Sequence, residues 1–453
     1  MSEYKTISSY LIAAAEQIRW KRARPVVISE LEQHLEDQRD AFLAEGCDNA
    51  EQLAVEEMGD PVTVGTELDY IHRPKPQWGL LLLTMLLALV GTILRIYFDF
   101  QQSPYLPYPD AVNAVLSFVL GCCVLLIGYF MDYARLAHHA WMIYMAAVII
   151  GILALIRSPF IWGYARYARY IALCFPVAYT FLLYACRRKG WKGLLLAMTG
   201  GIPLAWICLK TPYIFGLLLI LFTGFALIFT ASYQDWFGIG RRKSLLFLCC
   251  CVMSVMILSS CCLFLGFGLR ADYFLSRLHT AFRPEQDPMG QGYQTIVIRN
   301  AIDASRWLGT GADYSATPYE QTMPNADSDG LLTTLIYKLG WLPFLLIALV
   351  FLLLIVWLIH RCLNHKSHLG RLITLSVTFT LCLQALCSTV WNLGFTLVGG
   401  AAFPLVMDNL SSIINMGLIG LALSVFRGES IARDQPHTAR RPRYRIKIVV
   451  QKI

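Results

Sequence analysis

The sequence predicts an all-α, polytopic membrane protein with about ten transmembrane helices, a large extracellular loop between helices 7 and 8, and a small N-terminal cytosolic helical domain. Three observations predict it. Hydrophobic residues make up 57% of the chain and charged residues 15%, with a mean hydropathy of +0.53; soluble domains run at roughly 45–50% and 25%. Apolar runs long enough to cross about 30 Å of hydrocarbon follow one another from residue 79 onward. Lys and Arg collect in short loops between those runs, so the net charge of +8 reads as membrane orientation and not as nucleic-acid binding.

In chain order, residues 1–75 read as a cytosolic helical domain. The first apolar run comes too late for a cleavable signal peptide, so this head is expected to stay on the side where the chain was made. Ser29 with Glu32 and Asp48 with Glu51 fit capping boxes, and Gly59-Asp60-Pro61 closes one helix and opens the next. Leu31, Leu35, Phe42 and Leu53 are the candidate core. Arg73-Pro74-Lys75-Pro76 is a stiff basic linker into the membrane domain, 76–427. Spans are expected at 79–97, 111–131, 138–156, 168–185, 193–209, 212–231, 245–268, 331–359, 371–390 and 402–426. A basic tail, 428–453, follows.

Orientation comes from the placement of positive charge. Cys186-Arg187-Arg188-Lys189, Arg241-Arg242-Lys243 and the stretch from His360 to Arg371 alternate as inside loops, and the tail is inside too. Arg157, Arg166 and Arg169 disagree, because they fall on the outer side. They are either tolerated there or bind something anionic. The segment 270–329 then faces outward. At about 60 residues it exceeds ordinary connections, and loops of that size are functional or disordered. Trp307, Tyr293, Tyr314 and Tyr319 among its charges point to an ordered, functional loop. Of the fourteen cysteines, most lie inside apolar runs, and no CxxC pair has a second pair at metal spacing. No metal-ligand set is predicted.

Along this loop a series of short motifs resembles the SEDS family of bacterial cell-wall polymerases, the group of RodA, FtsW and SpoVE. Arg277-Leu278 through Phe282, Pro284, Asp287-Pro288 and Gly292-Tyr293-Gln294 are similar to that family's Arg, Phe-x-x-Pro, Asp-Pro and Gly-Tyr-Gln stretch. Gly309-Thr310-Gly311 resembles its Gly-x-Gly. Pro324-Asn325-Ala326-Asp327-Ser328-Asp329 resembles its Pro-Glu-x-x-Thr-Asp, with Leu339-Gly340 at the matching distance before a transmembrane helix. Asn392-Leu393-Gly394, Pro404-Leu405 and Ser411-Ser412 resemble motifs near its C-terminus. The likeness is good over 270–427 and weaker over 79–269. The head resembles a permease-prefix type domain through Gln17-Ile18-Arg19-Trp20-Lys21, Glu36-Asp37-Gln38 and Met58-Gly59-Asp60-Pro61, which implies a cytosolic partner and no chemistry.

The resemblance implies inverting glycosyl transfer on lipid II, a disaccharide-pentapeptide on polyprenyl pyrophosphate, beside a class B penicillin-binding protein. Such a reaction needs a carboxylate to take the proton of the attacking sugar hydroxyl. It also needs positive charge, from cationic side chains or a divalent ion such as magnesium or manganese, at the departing pyrophosphate. Asp329 aligns with the family's catalytic aspartate; from position alone it also fits a helix N-cap. Asp327 is placed to share a proton or a cation with it, or to be a solvated loop acid. Arg277, Arg299 and Arg306 offer forks that match phosphate oxygens, or are loop charges. Asp408 is a carboxylate at membrane depth and so a functional candidate, with helix capping as the alternative.

The chain departs from the family at several positions. Phe175-Pro176-Val177-Ala178 stands where the family has Gln-Pro-Ser-Glu and a lysine shortly after, and Lys210-Thr211-Pro212-Tyr213 lacks an Asp. Gln321 stands where division-type members often carry Glu, Tyr337-Lys338 replaces Glu-Glu, and Met407-Asp408-Asn409-Leu410 replaces Ser-Tyr-Gly-Gly. Two other readings therefore stand beside the polymerase. One is a catalytically impaired scaffold that recruits cell-wall partners. The other is a precursor flippase, which the shortage of ionisable residues between 79 and 268 disfavours.

Overall fold

The computed structural model describes residues 6–21, 23–74, 76–102, 108–161, 164–211, 214–264, 279–290, 292–313, 329–365, 367–397 and 401–428. It divides into two compact units, one of residues 1–75 with 366–368 and 428–453, the other of 76–365 with 369–427.

The head consists of four helices, α1 (Ile7–Gln17), α2 (Arg24–Ala44), α3 (Ala50–Met58) and α4 (Pro61–His72). Tyr10, Leu11 and Ala14 of α1 pack on Leu31 and Leu35 of α2 and Val55 of α3. Phe42 and Leu53 are only half-buried. The junction at Gly59 is as expected: Gly59 ends α3 with φ +85°, and Asp60 caps α4 by accepting the Thr63 N–H at 2.9 Å, ahead of Pro61. Both proposed capping boxes are corrected. Ser29 lies inside α2, whose first turn is set by a proline. Asn49 precedes α3, and the Glu51 carboxylate instead accepts the Ile7 N–H at 2.9 Å. A Ser-x-x-Glu pattern is common on polar helix faces, so without a break in the chain before it the signal is weak.

Among the described residues of this unit one carboxylate is buried. Asp69 is 4% exposed and accepts the Arg19 N–H at 2.9 Å and the Arg73 guanidinium at 3.1 Å. Burial pushes its carboxyl up, but the Arg19 amide and Arg73 outweigh that and hold it below the usual carboxylate range.

The second unit carries α5 (Trp78–Gln102), α6 (Tyr108–Phe130), α7 (Tyr133–His138), α8 (Ala140–Arg157), α9 (Arg166–Ile171), α10 (Phe175–Ala185), α11 (Gly190–Lys210), α12 (Ile214–Tyr233) and α13 (Arg241–Phe264). Next come α14 (Tyr293–Asp303), α15 (Leu331–Leu339), α16 (Trp341–Leu363), α17 (His368–Asn392) and α18 (Asn409–Arg427). A two-residue antiparallel ribbon, Phe160–Ile161 with Tyr164–Ala165, interrupts an otherwise helical fold just before α9. Among the described residues nine helical stretches are long and apolar enough to cross a membrane. They match nine of the ten expected spans. α13 follows the remaining one, 245–268, up to the edge of the described residues.

α6 packs along α18, with α5 against both and α16 against α5. A Cβ on Gly420 would lie 2.4 Å from the Leu125 carbonyl oxygen, so the glycine lets the two backbones touch. Close approach matters here because lipid supplies no hydrophobic drive between helices. α8, α10, α11, α12 and α13 form a second group, and α9 touches both α8 and α18. Leu82, Leu116, Leu153, Phe222 and Leu346 face outward, as a surface surrounded by acyl chains requires. Cys123, Cys249 and Cys250 also face outward and are not buried hydrophobes.

The expected eighth span, 331–359, is two helices. α15 is nine residues long, its first seven all buried, and the crossing helix begins only at Trp341. Gly340 makes the break with φ +100°, and a Cβ there would sit 2.6 Å from the Trp307 carbonyl oxygen. The 306–308 segment crosses at that point, its carbonyls accepting the Trp341 and Leu342 N–H groups at 3.1 Å each. Unbroken hydropathy through Leu339-Gly340-Trp341 hid the turn from sequence reading.

Candidate active site

Three helix ends meet at Asp329. The residue immediately precedes Gly330, the N-cap of α15, and Asp408 immediately precedes α18. Two helix N-termini therefore direct their positive ends toward neighbouring acids. Arg169, on α9, comes between them. Its Nη2 lies 3.0 Å from Asp329 Oδ1 and 3.9 Å from Asp408 Oδ2, and its Nη1 lies 3.4 Å from Asp329 Oδ2. The Arg169 side chain is 7% exposed and that of Asp329 11%. This is a two-pronged ion pair removed from water, where loss of either partner strands a charge.

The N-cap reading of Asp329 does not hold, because Gly330 holds the cap position without a side-chain bond. The cap is supplied from α17. Asn392 Oδ1 accepts the Thr333 N–H at 3.0 Å, and its Nδ2 donates to the Asp329 carbonyl at 3.0 Å and the Ser388 carbonyl at 2.9 Å. Thr333 Oγ1 returns a bond to the Asn392 carbonyl at 3.0 Å. The amide thus satisfies the α15 N-terminus and fixes the backbone of the acid at once.

Asp408 takes φ +53° and Leu405 +68° in the turn that leads into α18. The Met407 sulfur inside that turn accepts the Phe403 N–H at 3.1 Å. Asp408 Oδ2 is buried and has no hydrogen-bond partner among the described residues. The Arg95 guanidinium meets Asn409 Oδ1, which ties the turn to α5. The segment that replaces the family's Ser-Tyr-Gly-Gly thereby contributes the second acid of the cluster.

The other candidates lie elsewhere. Arg299 gives its Nη2 to the Ala281 carbonyl at 2.9 Å and its Nε to the Gly394 carbonyl at 3.3 Å, and its guanidinium covers the Phe395 ring at 5.4 Å. It clamps the loop to the end of α17. Arg306 is exposed. Arg277 and Asp327, with Tyr314, Tyr319 and Gln321, lie outside the described residues. Sequence reasoning did not place Arg169 or Asn392 in the site. Arg169 had been visible as a breach of the charge rule, and Asn392 as a family motif.

Asp327, the acid expected to share a cation with Asp329, lies outside the described residues. Among the described residues no three His, Cys, Asp or Glu side chains converge, and both Asp329 oxygens already face Arg169.

A family model described as a cell cycle protein, FtsW/RodA/SpoVE, matches residues 77–430. The chain belongs to this family. FtsW/RodA/SpoVE relatives include a protein of Aliivibrio salmonicida (strain LFI1238) named "Probable peptidoglycan glycosyltransferase FtsW", 24% identical over 51% of this chain and 54% of its own length. The Bacillus subtilis (strain 168) stage V sporulation protein E is 26% identical over 36% of this chain and 44% of its own. The chain thus spans about half the length of the curated relatives it matches. In fold it resembles a chain from a study of a peptidoglycan synthase complex that coordinates polymerization and crosslinking, with TM-score 0.61 at 18% identity, over 78% of this chain and 98% of that one. Thermus thermophilus RodA, a rod shape determining protein, gives 0.51 at 16% identity, over 78% and 97%.

Proposed function

We propose that the chain polymerises lipid II or a related lipid-linked glycan by inverting glycosyl transfer, with Asp329 as general base. The observation that carries this is the shared guanidinium: Arg169 grips Asp329 with both prongs while Asp408 Oδ2 stands 3.9 Å away. In the reaction a sugar hydroxyl attacks the anomeric carbon of a second lipid-linked sugar from the face opposite the pyrophosphate. The new C–O bond forms as the bond to the phosphate oxygen breaks, the leaving oxygen keeps the electron pair, and the hydroxyl proton passes to Asp329. Asp329 can accept that proton only when Arg169 turns away, and Asp408 offers the guanidinium a second carboxylate within reach. Negative charge arriving on a pyrophosphate offers a third, so substrate binding and release of the base are coupled.

The head is read as cytosolic, where it recruits a partner, and Asp329 as opening to the outer face, beside a class B penicillin-binding protein. The likeness to a chain from a peptidoglycan synthase complex supports the penicillin-binding partner, and the placement of Lys and Arg in the sequence supports the orientation. Purified protein with such a partner and labelled lipid II tests it. Wild type is expected to make polymer, and Asp329→Asn to make about 100-fold less or below, the span of general-base effects. Equal polymer from Asp329→Asn overturns it.

A scaffold remains the second reading, favoured by one observation. Val177 and Ala178, where the family has Ser and Glu, are buried apolar residues at 7% and 4% exposure, so that part of the bundle offers a substrate no charge. Growth rescue by Asp329→Ala equal to wild type at matched expression supports the scaffold.

A further inference from the structure

At the ends of α10–α13 away from any residue of the active-site cluster, two turns are stitched together. Arg188 N–H donates to the Trp236 carbonyl and Gly190 N–H to the Phe237 carbonyl, each at 3.0 Å, and the Trp236 indole donates to the Leu183 carbonyl at 2.9 Å. Arg188 and Asp235 hold φ of +56° and +52° there, so the arrangement is built against local preference. The stitching gathers Arg187, Arg188, Lys189, Lys192, Arg241, Arg242 and Lys243 at one end of the helices. Asp235 is the acid in those turns, and its carboxylate accepts the Gly240 N–H at 2.7 Å. Among the described residues no ion pair includes any of the seven cations. Tyr184 and Tyr233 lie beneath the Arg187 and Arg241 guanidiniums at 4.0 and 3.4 Å.

Between the same helices is an apolar cavity of about 390 Å³, within the roughly 300–1,000 Å³ of ligand pockets. Gly201 and Ala205 of α11, Gly224 and Ile228 of α12, and Leu248 of α13 line it. Tyr179 turns its hydroxyl out of it to the Ala197 carbonyl at 3.0 Å. Its rim residues Ile202, Leu221 and Phe225 are 63%, 55% and 47% exposed, so it opens toward lipid. At 1.5 Å of rise per residue, the cavity begins about 8 Å from the basic turns and ends about 22 Å from them. That span starts in the acyl region of the leaflet next to those turns and reaches the bilayer midplane, since a roughly 30 Å core allots about 15 Å to each leaflet.

We propose that this cavity and the basic turns together form a binding site for one anionic phospholipid of that leaflet, an acyl chain in the cavity and the phosphate among the arginines and lysines. The charges account for the head group and the wall of small residues for the chain. A protein helix would fill the cavity but leave seven cations unmatched, and free phosphate would leave the cavity empty.

The full chain, purified in detergent and incubated with dioleoylphosphatidylglycerol or dioleoylphosphatidylcholine, is weighed intact by native mass spectrometry. Wild type is expected to retain the anionic lipid at least about tenfold better, and the R188Q/K189Q/R241Q/R242Q variant to retain the two alike, since each surface cation adds to the attraction for anionic lipid. Gly201→Leu keeps the charges and fills the cavity; a Cβ there meets only the Tyr179 ring at 3.9 Å, so the backbone tolerates it. It is expected to lower retention of both lipids and leave their ratio unchanged. Equal retention by wild type, a preference that survives in the quadruple variant, or full retention by Gly201→Leu overturns the site. Displacement by glycerophosphoglycerol as effective as by the whole lipid overturns it in favour of a plain phosphate site. Retention of neither lipid overturns it in favour of a protein helix.

Discussion

Asp69 of the head and Asp329 of the membrane unit are both buried carboxylates paired with arginine, yet they are built differently. Asp69 takes Arg73, the C-cap residue of its own helix, and that side chain is 53% exposed. Asp329 takes Arg169 from a helix 160 residues away, and both members are shielded. In water a neighbouring turn suffices, because solvent screens whatever the pair leaves unmatched. Inside a bundle surrounded by lipid nothing screens it, so the partner must be brought by tertiary structure.

The largest test of this contrast is Arg169→Ala, which strands the Asp329 charge and is expected to cost about 3–5 kcal/mol of stability. Arg73→Ala is expected to cost under about 1 kcal/mol, as exposed pairs do. Thermal unfolding in detergent reads both. The Arg169→Ala/Asp329→Ala double variant should recover most of the loss, and failure to recover would mean that Arg169 acts chiefly through other contacts. Gly340→Ala follows, at about 1–3 kcal/mol, because an alanine there needs a rare backbone and meets the Trp307 carbonyl.

Acid sharpens the comparison from the head. The folded Asp69 carboxyl lies below its unfolded value, so the stability it contributes is present above about pH 3.9 and is lost as pH falls through the folded value. Hydrogen exchange at the Arg19 amide should quicken over that fall, and in Asp69→Asn the dependence should vanish, at a cost near neutrality of about 1–2 kcal/mol. The smallest effect is expected from Tyr10→Phe. The Tyr10 hydroxyl is buried without a hydrogen-bond partner among the described residues, and burial first, then Asp60, push it up to about 12. Wild type should therefore lose stability as pH rises through about 10 to 12, where Tyr10→Phe does not. Below that range the substitution should change stability by under about 1 kcal/mol.

The spans were legible because their signal is additive: apolar residues at membrane depth read the same whatever they pack against. Asp329 was legible through the family motif, and Asp408 through the rarity of carboxylates at that depth. Their convergence was not legible, since periodicity and charge patterning describe one segment at a time. Arg169 illustrates the limit. The charge rule marked it as misplaced and left open whether it was tolerated or bound something anionic, and the anions are this chain's own Asp329 and Asp408. The break at Gly340 was missed because glycine is ordinary in membrane helices, and the demand for it comes from residues 306–308 crossing outside its own helix. The head's caps failed for the opposite reason, short patterns being frequent where no turn follows.

The amide of Asn392 gives α17 mechanical control of the acid. Because one side chain holds both the Asp329 carbonyl and the first turn of α15, a tilt or slide of α17 drags the carboxylate with it. Arg169 rides on α9, outside that linkage. Any force on α17 from a neighbouring membrane helix is therefore transmitted to the gap between acid and guanidinium.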